Sequence, residues 1–254
     1  MEEWLTLFAA FTIGIYLGHL ADILALAWHS EEPVFRGGKF PSFWRSITEG
    51  NKWFCLIGRK RGVVNTLYQT LACGVLSVLI YNYFGLTENG LLLLYLVFAF
   101  MVAFISDVQW REIPHEINHI TMGIAVLLLL TGEHSLLYFI TGLIPAVIAF
   151  GVAFILYTTK PENGFGIGGG DLRFILSMGG LMGAFFAIFL LAIGSALVVV
   201  LNIASLVKDT SLNTETFVPM MTGFAGSFLL MLFGHYFAPP EVSLFPMLDM
   251  AAWL

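Results

Sequence analysis

Charged residues are scarce in this sequence. Asp, Glu, Lys and Arg make up 11% of the 254 residues, whereas a soluble domain carries about 25%. Hydrophobic residues make up 58% of the chain, and the mean hydropathy is +0.87. So large an apolar excess cannot be enclosed in a core under a solvated surface, and it needs lipid as its solvent. The composition therefore excludes a soluble globular domain and indicates an integral membrane protein.

Cysteine is also scarce, because Cys55 and Cys73 are the only two in the sequence. They form no CxxC motif, which excludes a tetrathiolate zinc site and leaves no obvious disulfide framework. The glycine-rich segment 166–170 is not followed by Gly-Lys-Ser/Thr, which argues against a P-loop. We expect no nucleic acid partner, and membrane lipid is the expected surrounding.

Eight apolar runs are candidates for helices that cross the bilayer, which requires roughly 17 to 25 residues each. The stretch 174–206 would be about 50 Å long as one helix, too long for a single span. Gly179, Gly180 and Gly183 offer a place to turn, so we divide this stretch into two short spans joined by a tight hairpin. The predicted spans are 4–27, 63–84, 90–106, 116–131, 136–159, 174–187, 188–206 and 218–237.

The basic residues support this division. With eight spans, all 11 Lys and Arg fall on one side of the membrane, in the segments 28–62, 107–115, 160–173 and 207–217. The opposite side carries only acidic charges. The positive-inside rule assigns the basic side to the cytoplasm and both termini to the outside. We therefore predict an all-α, polytopic membrane helix bundle with about eight transmembrane helices.

Two aspartates lie at the cytoplasmic ends of predicted spans. Asp107 follows the third span, and Asp171 precedes the sixth, directly after Gly168, Gly169 and Gly170. Two carboxylates held close together share one proton. The ionised one can then activate water, while the protonated one polarises a peptide carbonyl. The same residues are also explained by a solvated helix end at Asp107 and a helix N-cap at Asp171.

A family resemblance rests on the spacing of these motifs. Asp107 is followed, after five intervening residues, by Ile113-Pro114, and Gly168-Gly169-Gly170-Asp171 places the second aspartate 64 positions after the first. The two motifs resemble those of the type IV prepilin peptidase family, an Asp followed by Ile-Pro and then GxGD. The resemblance covers about 90–237. A presenilin-like protease would instead have Tyr-Asp at the first motif, where Ser106 precedes the aspartate here.

The resemblance implies an aspartic endopeptidase of the bacterial inner membrane with periplasmic termini. It would remove the basic leader from type IV prepilins or pseudopilins at the cytoplasmic face, with Asp107 and Asp171 as catalytic residues. Exposed acids near the motifs would attract that leader, although ordinary solvated loop charge explains them equally well. The residues expected to bind substrate are Gly168, Gly169, Gly170, Ile113, Pro114, Glu112 and Glu162. The oligomeric state is left open by the sequence.

The N-terminal part departs from the family pattern. We divide the chain into an N-terminal region 1–89 with a loop at 28–62, a peptidase core 90–237 and a short tail 238–254. Many members of the family carry two CxxC zinc pairs in the corresponding loop and methylate the product with S-adenosylmethionine. Those pairs are absent, so we expect no cofactor unless methyl transfer survives. Asp22, in the first span, is costly in lipid and is either functional or paired inside the bundle.

A rival motif overlaps the first one. His115-Glu116-Ile-Asn-His119 is an HExxH sequence, whose two histidines share one helix face and suit zinc, with Glu116 as general base. A catalytic zinc needs a third protein ligand, and no later motif supplies one, so we expect no metal. A transporter or another membrane protein without catalytic activity is the remaining alternative. Transporters place polar groups at the middle of the membrane, whereas these acids cluster at one interface.

Overall fold

The computed structural model describes residues 2–29, 66–159, 168–208 and 218–237, and every regular element in those ranges is an α-helix. The all-α class is therefore confirmed. Most of the predicted loop 28–62, together with Glu162 and the tail 238–254, lies outside the described residues. The helices are α1 (Glu2–His29), α2 (Thr66–Phe84), α3 (Glu88–Trp110), α4 (His115–Thr131), α5 (Leu136–Thr159), α6 (Gly169–Lys208) and α7 (Met220–Phe237).

Four helical segments in the described ranges are long and apolar enough to cross a membrane. They are Trp4–Ala25, Glu88–Val108, Leu136–Thr159 and Gly169–Ala204. Three shorter apolar helices accompany them, at Gln69–Phe84, His115–Thr131 and Met220–His235. Large apolar side chains along α5 are exposed, as expected of a surface that lipid covers. The chain is a membrane protein, while the count of eight spans and the side of the termini stay predictions.

Helix α6 reverses direction at Gly183. This residue has φ 84° and ψ 175°, values that do not occur inside a helix. A Cβ added to Gly179 would lie 3.2 Å from the Cβ of Ala187, eight positions later in the sequence. A straight helix would separate those positions by about 12 Å. Glycine reaches positive φ without the steric cost that other residues incur, so the predicted turn within 174–206 lies at Gly183.

The chain divides into two compact units, Met1–Trp110 and Arg111–Leu254. In the first unit, α1 and α2 run antiparallel and approach closely, because Gly14 lies against Ser77 and Gly18 lies against Thr70. Small residues permit such contact between helices in lipid. The domain limits proposed at 89/90 and 237/238 remain predictions.

Polar side chains are buried at one end of this first unit. Asp22 lies on α1 one turn beyond Gly18 and is only 6% exposed. Gln69, on α2, is buried too, and its amide has no hydrogen-bond partner in the described part of the chain. The antiparallel pairing places both residues at about the same level of the α1–α2 contact.

In the second unit, α6 is the central helix, and α4, α5 and α7 pack against it. Its first half meets α5 where Gly142 and Gly179 bring the two backbones into contact. Its second half meets α7 in the same way at Gly194 and Gly223. Paired glycines thus fix the position of α6 between its neighbours.

A buried histidine secures the hairpin of α6. His134 lies in the connection between α4 and α5, and its Nε2 is 2.9 Å from the carbonyl oxygen of Leu181. Its ring also contacts Tyr138, with 4.8 Å between ring centroids. The last carbonyls before a helix break lack partners within the helix. His134 therefore provides a hydrogen-bond partner for a carbonyl at the helix end that the turn at Gly183 creates.

Candidate active site

Asp171 is held by the backbone directly in front of it. It is the third residue of α6, it is 9% exposed, and its Oδ2 accepts a hydrogen bond of 3.1 Å from the amide of Gly168. The helix leaves the amides of its first turn without intrahelical partners, and a carboxylate at this position satisfies one of them, as in a capping box. The helix dipole also stabilises negative charge at this end. The carboxylate is thus fixed in orientation.

The glycines before Asp171 meet the Ile-Pro segment. A Cβ added to Gly170 would lie 3.4 Å from the Cβ of Ile113 and 3.5 Å from its backbone nitrogen. Ile113 and Pro114 are both buried. A Cβ on Gly168 would be 2.8 Å from Oδ2 of Asp171, whereas one on Gly169 would meet nothing within 4 Å. The second unit therefore brings Ile113, Gly168, Gly170 and Asp171 together.

A second contact joins the same two segments. The Nη1 atom of Arg173 lies 3.1 Å from Nδ1 and 3.2 Å from Nε2 of His115, so the guanidinium is within hydrogen-bonding distance of the ring. His115 begins α4, and Arg173 lies in the first turns of α6. The starts of α4 and α6 therefore meet at two places, at the buried Ile113 beside Gly170 and at the exposed pair of His115 and Arg173.

Asp107 belongs to the first unit, in the last turn of α3. The predicted span ended at 106, but α3 continues to Trp110, so that Asp107 lies inside the helix rather than after it. Its side chain is 7% exposed, and the neighbouring Ser106 is fully buried. A buried acid in an apolar helix is costly and is characteristic of functional positions in membrane proteins.

The acidic residues expected to attract a leader lie at the surface where they are described. Glu112 and Glu116 are both exposed, and Glu162 is outside the described residues. Exposed carboxylates are compatible with recognition of a basic segment and with ordinary solvated charge.

The HExxH residues lie at the surface near the start of α4. His115, Glu116 and His119 are exposed, and the guanidinium of Arg173 lies against the ring of His115. A cation beside a prospective ligand opposes binding of a second cation. The described part of the chain contains no group of three or more His, Cys, Asp or Glu side chains suited to a metal.

A groove beside Asp171 was not foreseen from the sequence. It lies between α5 and α6 and has a volume of about 500 Å³. Its lining consists of Ala146, Val147, Phe150, Gly168, Gly169, Leu172, Arg173 and Leu176. The apolar residues on α5 look like any lipid-facing side chains in the sequence. Pro145, inside the helix, is the one local feature of α5 near the groove that disfavours regular helical packing.

A buried asparagine was also missed. Asn118, on α4, is 5% exposed, and neither its Oδ1 nor its Nδ2 has a hydrogen-bond partner among the described residues. It lies between His115 and Met122 on one face of α4, and both of these contact α6, at Arg173 and Gly180 respectively. Asn118 therefore faces α6 one to two turns beyond the contact of Ile113 with Gly170.

Comparison with known proteins supports the family suggested by the motifs. Residues 93–203 match the sequence model of the type IV leader peptidase family. This range includes Asp107, Asp171 and every residue that lines the groove. The searches of curated proteins and of solved structures gave no significant match.

Proposed function

We propose that this protein is a membrane aspartic endopeptidase that removes the leader from type IV prepilins or pseudopilins, because residues 93–203 match the sequence model of the type IV leader peptidase family. Asp107 and Asp171 are its two catalytic carboxylates. The observation that carries this proposal is the contact of Ile113 with Gly170, which joins the Ile-Pro segment of the first family motif to the GxGD of the second. The family match supports the peptidase activity itself.

Hydrolysis by two carboxylates proceeds by general acid–base catalysis. The ionised aspartate takes a proton from water while the water oxygen attacks the peptide carbonyl carbon, and the protonated aspartate donates a hydrogen bond to the carbonyl oxygen. Transfer of a proton to the leaving nitrogen then breaks the C–N bond and releases the leader and the mature chain. The amide of Gly168 keeps the Asp171 carboxylate oriented for these transfers.

The substrate consists of a short basic leader joined to an apolar helix. We place the reaction at the cytoplasmic face of the bacterial inner membrane, with eight spans and periplasmic termini. The exposed Glu112 and Glu116, together with Glu162, attract the basic leader. Gly169 and Pro114 complete the segment that meets the substrate backbone.

The reaction in this proposal requires neither a metal nor S-adenosylmethionine. The contact of Arg173 with His115 supports a hydrolysis without zinc, because it directs a cation at the first histidine of the HExxH motif. Methyl transfer is not part of the proposal, since the sequence lacks the CxxC pairs that the family uses in that region.

The test is cleavage of a prepilin by the purified protein in detergent or membranes, with product masses measured by mass spectrometry. The account predicts one cut between the basic leader and the apolar helix. It also predicts full activity in the presence of a chelator and in a His119→Ala variant. Loss of cleavage in both of these conditions would instead establish the zinc alternative, and a wild-type protein that cleaves no prepilin would rule out the proposed function.

A further inference from the structure

The groove between α5 and α6 originates in the way these helices pack. Gly142 and Gly179 bring the two backbones into contact at one point. Pro145 follows on α5, where it removes a backbone donor and favours a bend. From that point the helices leave a space of about 500 Å³ between Ala146 and Phe150 on one side and Leu172 and Leu176 on the other. Such a volume lies within the range of ~300–1,000 Å³ that is usual for ligand sites.

One end of the groove adjoins the catalytic carboxylate. Gly168 and Gly169 line it, and the amide of Gly168 is the group that donates to Oδ2 of Asp171. Leu172 and Leu176 continue the lining along α6, away from this end. A peptide whose scissile bond lies at Asp171 therefore has its neighbouring side chains at the mouth of the groove.

The groove is also open toward the exposed apolar surface of α5. Val147 and Phe150 line it, yet these side chains are 59% and 53% exposed. They belong to the exposed apolar surface of α5, which faces lipid in a membrane protein. An apolar helix that diffuses in the bilayer can thus reach the groove without passing a polar barrier.

We propose that this groove binds the apolar side chains that directly follow the scissile bond of the substrate, and that its shape selects among them by size. The inference rests on the proposed function, because it takes Asp171 as the point of cleavage and the membrane-embedded helix as the part beyond it. Those side chains already lie in lipid before they bind, so the groove offers them close packing rather than removal from water. Selection is therefore by volume and not by hydrophobicity.

The chain offers matched variants for a test. Val147→Trp narrows the groove, and Val152→Trp adds the same side chain on the same helix at a position that is 52% exposed and does not line it. Phe150→Ala widens the groove. Phe154→Ala is its control, since the two rings stack at 6.4 Å and are exposed to nearly the same extent (53% and 51%), so that both variants lose the same ring contact.

The readout is kcat/KM for substrates that carry Ala, Leu or Trp directly after the scissile bond. Val147→Trp should raise the ratio of the Ala to the Trp substrate about tenfold or more, and Phe150→Ala should lower it, in line with the ~10- to 200-fold effects of one methylene in an apolar pocket. The two controls should keep the wild-type ratio. A common ratio in all four variants, as expected if the groove only holds a lipid chain, would overturn the inference.

A crosslinking experiment separates this inference from the proposed function. In an Asp171→Asn background that leaves substrate intact, and with a mild oxidant such as copper phenanthroline added to accept the two electrons, Val147→Cys should form a disulfide with a substrate cysteine near the scissile bond, and Val152→Cys should not. Equal crosslinking at both positions, or none at position 147, would refute the inference that the groove binds the substrate. If the wild type cleaves but these variants fail the test, only that inference is wrong. If the wild type cleaves nothing, the proposed function itself fails.

Discussion

Ile113 and Gly170 are neighbours in space, because a Cβ built on Gly170 would lie at van der Waals distance, 3.4 Å, from the Cβ of Ile113. The two residues belong to different sequence motifs and to the starts of different helices, α4 and α6. The adjoining Gly168 donates its amide hydrogen to the Asp171 carboxylate. The geometry of this small region underlies most of the predictions below.

Replacing Gly168 should impair cleavage far more than replacing Gly151, a glycine of α5 that does not line the groove. In Gly168→Ala the new Cβ would lie 2.8 Å from Oδ2 of Asp171, so the carboxylate must move away from its amide donor. In Gly151→Ala the Cβ meets open space. We expect a loss of roughly 10²-fold in kcat/KM for the first variant, since a misplaced catalytic group costs about that much, and near wild-type activity for the second. Equal activity of the two variants would contradict the orientation assigned to Asp171.

The turn at Gly183 should be sensitive to any side chain. Gly183→Ala places a non-glycine residue at φ 84° and a Cβ 2.6 Å from the Tyr138 ring. A backbone with positive φ and ψ near 180° is essentially restricted to glycine, and it costs about 1–3 kcal/mol for another residue. The variant should therefore unfold at a lower temperature in detergent. Gly123→Ala is the control, because Gly123 is helical and has free space around it, and helix propensity predicts a small gain there. Equal stability of the two variants would argue against the reversal at Gly183.

The bond between His134 and Leu181 should contribute measurably to stability. His134→Ala leaves the Leu181 carbonyl without its buried partner, a loss of about 1–3 kcal/mol. Glu133→Ala, at the exposed neighbouring position, should have little effect. Thermal unfolding of both variants compares them directly, and a His134→Ala protein as stable as wild type would show that the bond is dispensable.

The fold should tolerate an apolar residue in place of Asn118. Burial of an amide without a hydrogen bond costs free energy, and Asn118 has no partner in the described ranges. Asn118→Leu removes that cost with an apolar side chain that branches at the same atom, and it should raise the unfolding temperature. Thr121→Val is the control on the same face of α4. The Thr121 hydroxyl already donates to the Ile117 carbonyl at 2.7 Å, so its removal should not raise the unfolding temperature. A large loss of stability in Asn118→Leu would show that the amide has a partner in the membrane.

Much of this architecture follows from the sequence, because apolar runs and glycines are local signals. The limits of α5 coincide with the predicted span 136–159, and the turn in the long apolar stretch falls at one of the three suggested glycines. Sequence alone cannot separate the three. Gly183 adopts positive φ, whereas Gly179 and Gly180 are helical and leave room for α5, and that difference depends on which helix packs opposite.

For the candidate site, the sequence indicates the residues of the motifs but not their contacts. The spacing of the motifs and the ends of the predicted spans single out Asp107 and Asp171, whose catalytic role stays a prediction, but the hydrogen bond from Gly168 and the contact of His115 with Arg173 are tertiary. The groove was missed because its apolar residues on α5 match the pattern of a lipid-facing helix. The order of residues along the chain does not show where two helices separate.

The central claim is that Asp107 and Asp171 are both catalytic, and the most direct test is the rate of prepilin cleavage by Asp107→Asn and by Asp171→Asn. Asparagine preserves the shape of the side chain but cannot accept a proton from water. Each variant should fold normally and lose roughly 10³-fold or more in kcat, whereas Glu133→Gln, at an exposed acid between α4 and α5, should stay close to wild type. A folded Asp107→Asn or Asp171→Asn protein that cleaves at the wild-type rate would contradict the account.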